Sequence, residues 1–430
     1  MLKRSTGFAV ALAILVATLF PTPAHAQACT AQRQLSSNDI VQLHAEVRNV
    51  ENGEVLFSSA ADQAERSASV LKILTAAVAL DVLGPDYRVT TSVYSDPENP
   101  GAIYLVGAGD PTLSRMPSKI TSYYAKGPKL DTLSRQISNW SKRTGTEITS
   151  VNVDSSLFGG NDEWHPTWSL RGLSSGYMAP VSALQIDAAR LTSKHNSKRW
   201  LARRTAAPVD QAGELFITSL NKRKLAKGFT AAQAPAPAGA VVIASVQSRP
   251  MREWIVNLLR VSDNTLSENI ARLASLQAGY DGSMESINSL YSDVLSKRGL
   301  DVSNLEIVDA SGLSKDNRVP ASLVNDLLEL VHQEIGDYEV IREGLAISGS
   351  AGALRTRFTN GYQAPATGMI AAKTGFITTG YSLAGFITAR DGTELVFTVY
   401  NLSDKTKLSQ RRAMDRLIYR FFQCGSRLSS

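Results

Sequence analysis

Lys72 is set among Val70, Leu71, Ile73 and Leu74, in an apolar run that continues to Leu80. From Glu65 to about Leu83 the apolar positions fit a helix, which Gly84-Pro85 ends. An ammonium packed into such a helix loses its hydration, so its pKa falls and neutral amine becomes available near neutral pH. Ser69 lies three residues earlier, on the same helical face and in the first turn. The amine can then serve as base for a serine nucleophile, while the N–H groups and dipole of the helix start face a developing oxyanion. The Ser-x-x-Lys spacing alone is weak, because Ser219 and Lys222 also match it, but in a polar, basic stretch with nothing to depress an amine pKa.

With 430 residues, of which 43% are hydrophobic and 20% charged, the chain can bury a large core and form more than one domain. The start reads differently. Lys3 and Arg4 precede an apolar run from Phe8 to Phe20, then Pro21, Pro23 and Ala24-His25-Ala26. This is a secretory signal over residues 1–26 with cleavage expected before Gln27, since the run is shorter than the roughly 20 residues a membrane-spanning helix needs. Ala26-Gln27-Ala28 lacks the larger aliphatic residue of a lipidation box before Cys29. Export places the chain in the periplasm or cell-wall space, where an oxidising environment favours pairing of its two cysteines, Cys29 and Cys424. The alternative is two separately buried thiols. A bond would bring the two ends of the chain together and contribute roughly 5 kcal/mol at most by the chain-entropy model. The formal net charge of +6 suits peripheral association with an acidic envelope surface.

After the first helix, "RVTTSVY", "AIYLVGAG" and "VNVDSSLFGG" alternate as strands do. Between Ser193 and Lys227 the chain is basic, which reads as a solvated helix face or a site for an anionic wall polymer. Thr230 to Ala240, "TAAQAPAPAGA", reads as a linker or domain crossing. Helical pattern follows to Val331, strands from about Lys373 to Tyr400, and a helix from Lys407 to Phe422.

His44, His165, His195 and His332 stand in no metal-ligand spacing, so no metal and no cofactor is expected. Gly172-Leu173-Ser174-Ser175-Gly176 matches G-x-S-x-G, but the buried strand and following helix that motif requires are not written around it. Two further elements complete the Ser69–Lys72 reading: Ser262-Asp263-Asn264, and Lys373-Thr374-Gly375, which occurs once. In this order the three are the penicillin-recognising set. In an exposed edge strand Gly375 would let a peptide lie close against the backbone.

Beyond these motifs, "YLVGAGDPTLS", "VNVDSSLFGG", "YMAPVSALQID", "VDASGLSKDNRVP" and "LAISGSAGALRTRF" resemble the D-alanyl-D-alanine carboxypeptidase/endopeptidase family, the low-molecular-mass class C penicillin-binding proteins, from about Leu43 to Phe422. The resemblance implies an α/β (α+β) fold: a serine β-lactamase or penicillin-binding-protein-like transpeptidase core, an antiparallel sheet flanked by helices, with a smaller inserted domain. The expected division is 27–89 and 241–430 for the core and 90–240 for the insertion, with the family's further insertion after "SALQID" missing or vestigial.

The resemblance also implies roles. Ser69 would attack the penultimate D-alanine carbonyl of a peptidoglycan peptide ending in D-Ala-D-Ala, Lys72 would be its base, and Ser262 would relay a proton to the leaving D-alanine. Asn264 would hold the acyl peptide amide. Lys373 and Thr374 would bind the terminal carboxylate, and the N–H groups of Ser69 and Phe376 would form the oxyanion hole. β-Lactam antibiotics would acylate the same serine. Phe376 departs from the Thr or Ser common at its position, so a hydroxyl near the carboxylate is lost. A β-lactamase uses the same motifs, but the Glu-x-x-Leu-Asn segment of its class A form is not found. A wall-binding module with a dead site is the reading from another functional class, and no nucleic-acid partner is called for.

Overall fold

The computed structural model describes residues 29–160, 162–192 and 202–429. The expected signal, residues 1–26, and the basic segment 193–201 with His195 lie outside the described residues. Two sheets organise the chain. The larger has six antiparallel strands in the order Val55–Ser59, Gln42–Asn49, Glu394–Leu402, Gly380–Thr388, Ile370–Ile377 and Ala346–Ile347. Its central strand is buried on both faces, as its nearly continuous apolar sequence requires. Leu395, Phe397 and Val399 point into one core with Leu417, Ile418 and Phe421 of the C-terminal helix Leu408–Cys424. Val396, Tyr400 and Leu402 point into the other, with Ile73, Leu74 and Ala77 of the helix Lys72–Leu83 and Leu327 and Leu328 of the helix Ala321–His332. The period-two alternation of a strand thus feeds two helical layers.

The smaller sheet runs Ala231–Gln233, Ser150–Asp154, Ala102–Val106, Thr90–Ser95 and Val241–Gln247. Its first three strands are parallel and the remaining pairings antiparallel. Helices Leu130–Thr144 and Pro208–Asn221 supply Leu133, Ile137, Phe216 and Leu220 to its core with Val93, Ile103 and Leu105. The Pro/Ala stretch expected to be a crossing stays with this sheet: it contains the strand Ala231–Gln233 and leads into Val241–Gln247, which pairs with Thr90–Ser95. The chain therefore leaves the smaller sheet after Gln247 rather than at residue 240. Proline and alanine mark a turn there, not a change of layer.

The helix around Lys72 is buried all round from Lys72 to Leu80, which accounts for its lack of a polar face. It begins later than the apolar pattern suggests. Glu65 bridges to Val319 in extended pairing, and Ser69 sits in a 3-10 turn, Ala68–Leu71, ahead of the α-helix. The Ser67 carbonyl accepts from Ser382 Oγ at 2.6 Å, which ties the entry to the large sheet. Ala68 then takes a left-handed conformation, φ 47°, that turns the chain into the helix. Gly84, φ 79°, ends it as expected. At the two ends of the chain, Cys29 and Cys424 are joined by a disulfide with Cα atoms 5.4 Å apart, and Cys29–Thr30 pairs in parallel with Leu428–Ser429. Among the described residues no helix is long and apolar enough to cross a membrane.

Candidate active site

The three sequence motifs converge at the junction of the Ser69 turn, the helix pair around residue 262 and the strand Ile370–Ile377. Lys72 is fully buried and its Nζ lies 3.1 Å from Ser69 Oγ. Nζ also donates to Asn264 Oδ1 at 2.8 Å and to the Ser311 carbonyl. Burial lowers its pKa to about 8, against the opposing pull of Asp309, Glu268 and Asp263.

Ser262 ends the helix Met251–Val261 in a left-handed conformation, φ 59° and ψ 48°, and so breaks it from the helix Asn264–Gln277. Asp263 caps the second helix by accepting from Leu266 N–H at 3.1 Å. Burial alone would raise the Asp263 carboxyl. The guanidinium groups of Arg190 and Arg204 and the Tyr124 hydroxyl, which donates to it at 2.7 Å, outweigh that and hold it below the ordinary carboxylate range. Asn264 Nδ2 donates to the Tyr177 carbonyl at 2.9 Å, leaving its Oδ1 turned to Lys72.

Lys373 Nζ donates to Ser262 Oγ at 2.8 Å and to the Thr374 carbonyl at 2.7 Å. Burial first, and the neighbouring Lys72 second, hold its amine well below the usual lysine range. The strand Ala346–Ile347 pairs only with Ala371 and Ala372, so among the described strands nothing pairs with the outer edge from Lys373 onward. Gly375 comes so close to the Ser69 turn that a Cβ there would lie 3.0 Å from Ser69 N and 3.1 Å from Ala68 Cβ. Phe376 is exposed and stacks on Tyr381 with ring centroids 4.9 Å apart.

Ser69, Lys72, Ser262, Asn264, Lys373, Thr374, Gly375 and Phe376 are thus brought to one place. The second Ser-x-x-Lys is elsewhere: Ser219 Oγ shares a hydrogen bond with Ser134 Oγ, and Lys222 is exposed. Ser174 of the G-x-S-x-G match is exposed on the short helix Arg171–Ser175, with no strand leading into it. Motif reading missed the Ser311 carbonyl, Gly312, Glu268 and the Tyr177 carbonyl. Gly312 is packed against the Ser69 turn, where a Cβ would collide with the Ala68 carbonyl. The phrases "VDASGLSKDNRVP" and "YMAPVSALQID" contain three of these four, but backbone partners carry no residue signature.

Known proteins match along nearly the whole chain. A carboxypeptidase of Mycobacterium tuberculosis is 32% identical over 417 residues, covering 95% of this chain and 87% of that protein. Carboxypeptidase DacB of Mycolicibacterium smegmatis is 30% identical over 410 residues, covering 94% and 86%. Penicillin binding protein 4 from Haemophilus influenzae superposes with a TM-score of 0.74 at 17% identity, covering 90% of this chain and 98% of that one, and establishes the same fold. A second structure of that protein, in complex with a β-lactam, superposes with a TM-score of 0.64. The family model of the D-Ala-D-Ala carboxypeptidase 3 (S13) peptidases matches residues 27–199 and 191–421, and with the relatives it places this chain in that family.

Proposed function

We propose that the protein is an exported D-alanyl-D-alanine carboxypeptidase and endopeptidase that works through an acyl-enzyme on Ser69. The observation that carries this reading is the set of partners around Lys72. A neutral amine has two N–H donors and one lone pair. Asn264 Oδ1 and the Ser311 carbonyl take the two donors, which leaves the lone pair for the Ser69 hydroxyl 3.1 Å away. With a pKa of about 8, a fraction of Lys72 is neutral at neutral pH.

Ser69 Oγ adds to the penultimate D-alanine carbonyl as its proton passes to Lys72. The resulting oxyanion is held by the N–H groups of Ser69 and Phe376. The C–N bond then breaks, the leaving D-alanine amine takes a proton relayed through Ser262, and the acyl group remains on Ser69. Water attacks the ester, the acid product departs and the Ser69 hydroxyl is restored. When the leaving amine belongs to a neighbouring stem peptide, the same steps cut a crosslink. Asn264 holds the acyl peptide amide. Lys373, whose amine burial and Lys72 hold well below the usual lysine range, would be favoured as the ammonium by the substrate carboxylate beside it and Thr374, because an opposite charge stabilises the charged form. β-Lactams, one of which is bound in the Haemophilus relative, acylate Ser69 by ring opening.

The N-terminal signal delivers the enzyme to the periplasm or wall space, where it meets peptidoglycan peptides and associates peripherally with the envelope. For its domains we propose a core of 27–89 and 248–430 and an insertion of 90–247, with no further domain in the short connection from Asp187 to Pro208. The test is covalent labelling with fluorescent penicillin together with D-alanine release from an acylated peptide ending in D-Ala-D-Ala. Ser69→Ala should abolish both, and either one surviving would remove Ser69 from the mechanism.

A further inference from the structure

Resting on the acyl-enzyme reading of Ser69 and Lys72, we infer that Glu268, Thr75 and Ser267 are positioning residues that act on the catalytic lysine through one residue, Ala310. The Ser311 carbonyl that accepts from Lys72 belongs to a loop with no strand or helix of its own to hold it. Ala310, just before it, is held at both of its backbone polar groups. Its N–H donates to Glu268 Oε2 at 3.2 Å. Its carbonyl accepts from Thr75 Oγ1 at 2.7 Å and from Ser267 Oγ at 2.7 Å. Thr75 lies three residues after Lys72 on one helix, and Ser267 and Glu268 lie one turn after Asn264 on the other. The two helices that supply the base and its amide partner therefore also grip the segment that supplies the third. Tyr291 steadies the grip by donating to Thr75 Oγ1 at 2.7 Å. Asp309, one residue earlier, accepts from Gly312 N–H at 2.7 Å, Ser314 N–H at 2.6 Å, Asn317 Nδ2 at 3.0 Å and Trp168 Nε1 at 2.7 Å.

Glu268 adds charge to position. Its side chain is wholly buried, with Oε2 on the Ala310 N–H and the Ser311 side chain beside it. Burial and Asp309 raise its pKa to about 7, while Glu268 in turn raises that of Lys72. The charged or titratable groups around it are Asp309 on the loop, Lys72 and Tyr291 on the facing helices, and Arg272 on its own helix, with Asp263 at that helix's cap acting on Lys72. Lys373 on the motif strand borders the Lys72 site, and Asp162 pairs with Arg272. The Glu268 carboxylate favours the Lys72 ammonium and keeps the amine from falling further. Glu268→Gln keeps an oxygen for Ala310 N–H and removes the charge.

The experiment is the pH profile of penicillin acylation, kcat/KM for peptide hydrolysis beside it, on the full chain. For Glu268→Gln the acid limb should move to lower pH, by about tenfold in proton concentration. Glu268→Ala, which also frees Ala310 N–H, should in addition lose roughly tenfold or more in kcat at every pH. A Glu268→Gln profile superimposable on the wild type overturns the charge role. Should that variant fail to fold, Thr75→Val with Ser267→Ala tests the grip with all charges kept. An acylation rate at least tenfold lower with the acid limb unmoved is expected, and a wild-type rate would overturn the inference. Absence of acylation in the wild type would instead refute the reading of Ser69 on which this rests.

Discussion

Replacing Gly375 by alanine puts one methyl group at the closest approach between the motif strand and the nucleophile turn. The added Cβ would overlap Ser382 Oγ, and would stand 3.0 Å from Ser69 N and 3.1 Å from Ala68 Cβ, closer than carbon normally comes to either. Two costs separate. Displacing Ser382 loses its hydrogen bond to the Ser67 carbonyl and overpacks a buried seam, together about 1–3 kcal/mol of stability. Displacing the Ser69 amide removes a proposed oxyanion donor, for which loss of one donor costs about 100- to 1,000-fold in rate. The double variant Gly375→Ala with Ser382→Ala gives the methyl room on one side only. It should recover part of the melting temperature and little of the rate, because the Ser69 contact remains. Thermal melts and the second-order rate of fluorescent-penicillin acylation measure the two effects. Wild-type acylation by the single variant, or full recovery of rate in the double, would refute the claim that this glycine protects the Ser69 amide.

Other outcomes follow from the same geometry. Acylation should increase as pH rises through about 8, where Lys72 gives up its proton, and a rate flat from pH 6 to 10 would exclude this lysine as the base. Cys29→Ala with Cys424→Ala should lower stability by up to roughly 5 kcal/mol in a denaturant titration; an unchanged midpoint would mean that the terminal strand pairing alone holds the ends. A non-reducing peptide map should recover the two cysteine peptides joined. The opened ring of a β-lactam stays tethered where D-alanine would depart, so a pulse of labelled penicillin chased with unlabelled drug should persist through many peptide turnovers. Label lost as fast as D-alanine is released would point to β-lactamase behaviour.

The parts of this site that could be read from the sequence are those written in side chains at short range. Lys72 is visible because an amine among Val70, Leu71, Ile73 and Leu74 has no solvated position in a helix, and Ser69 because three residues place it beside that amine. Ser262, Asn264 and Lys373 become readable only through the order and the setting of their motifs. The Ser311 carbonyl is different: every residue has one, and its partner Lys72 is 239 positions away. Glu268 reads as one more polar residue in an amphipathic helix until the loop that covers it is in place. The helix starts later than its apolar periodicity suggests because that periodicity does not register Ala68, whose φ of 47° belongs to a turn packed against Ser382 and Gly312. The pairing of Val241–Gln247 with Thr90–Ser95 is not legible for a related reason: proline and alanine report that the chain bends, and the partner of the next strand is decided by residues 90–95.

The bond between Cys29 and Cys424 turns a linear polymer into a covalent loop that contains every element of both sheets. A protease that cuts any one surface connection inside the loop opens it without releasing a fragment, so a nicked molecule keeps its mass until it is reduced. The loop also sets an order of events at synthesis. Cys29 is among the first described residues to be made and its partner is among the last, so the bond can form only once nearly the whole chain is present.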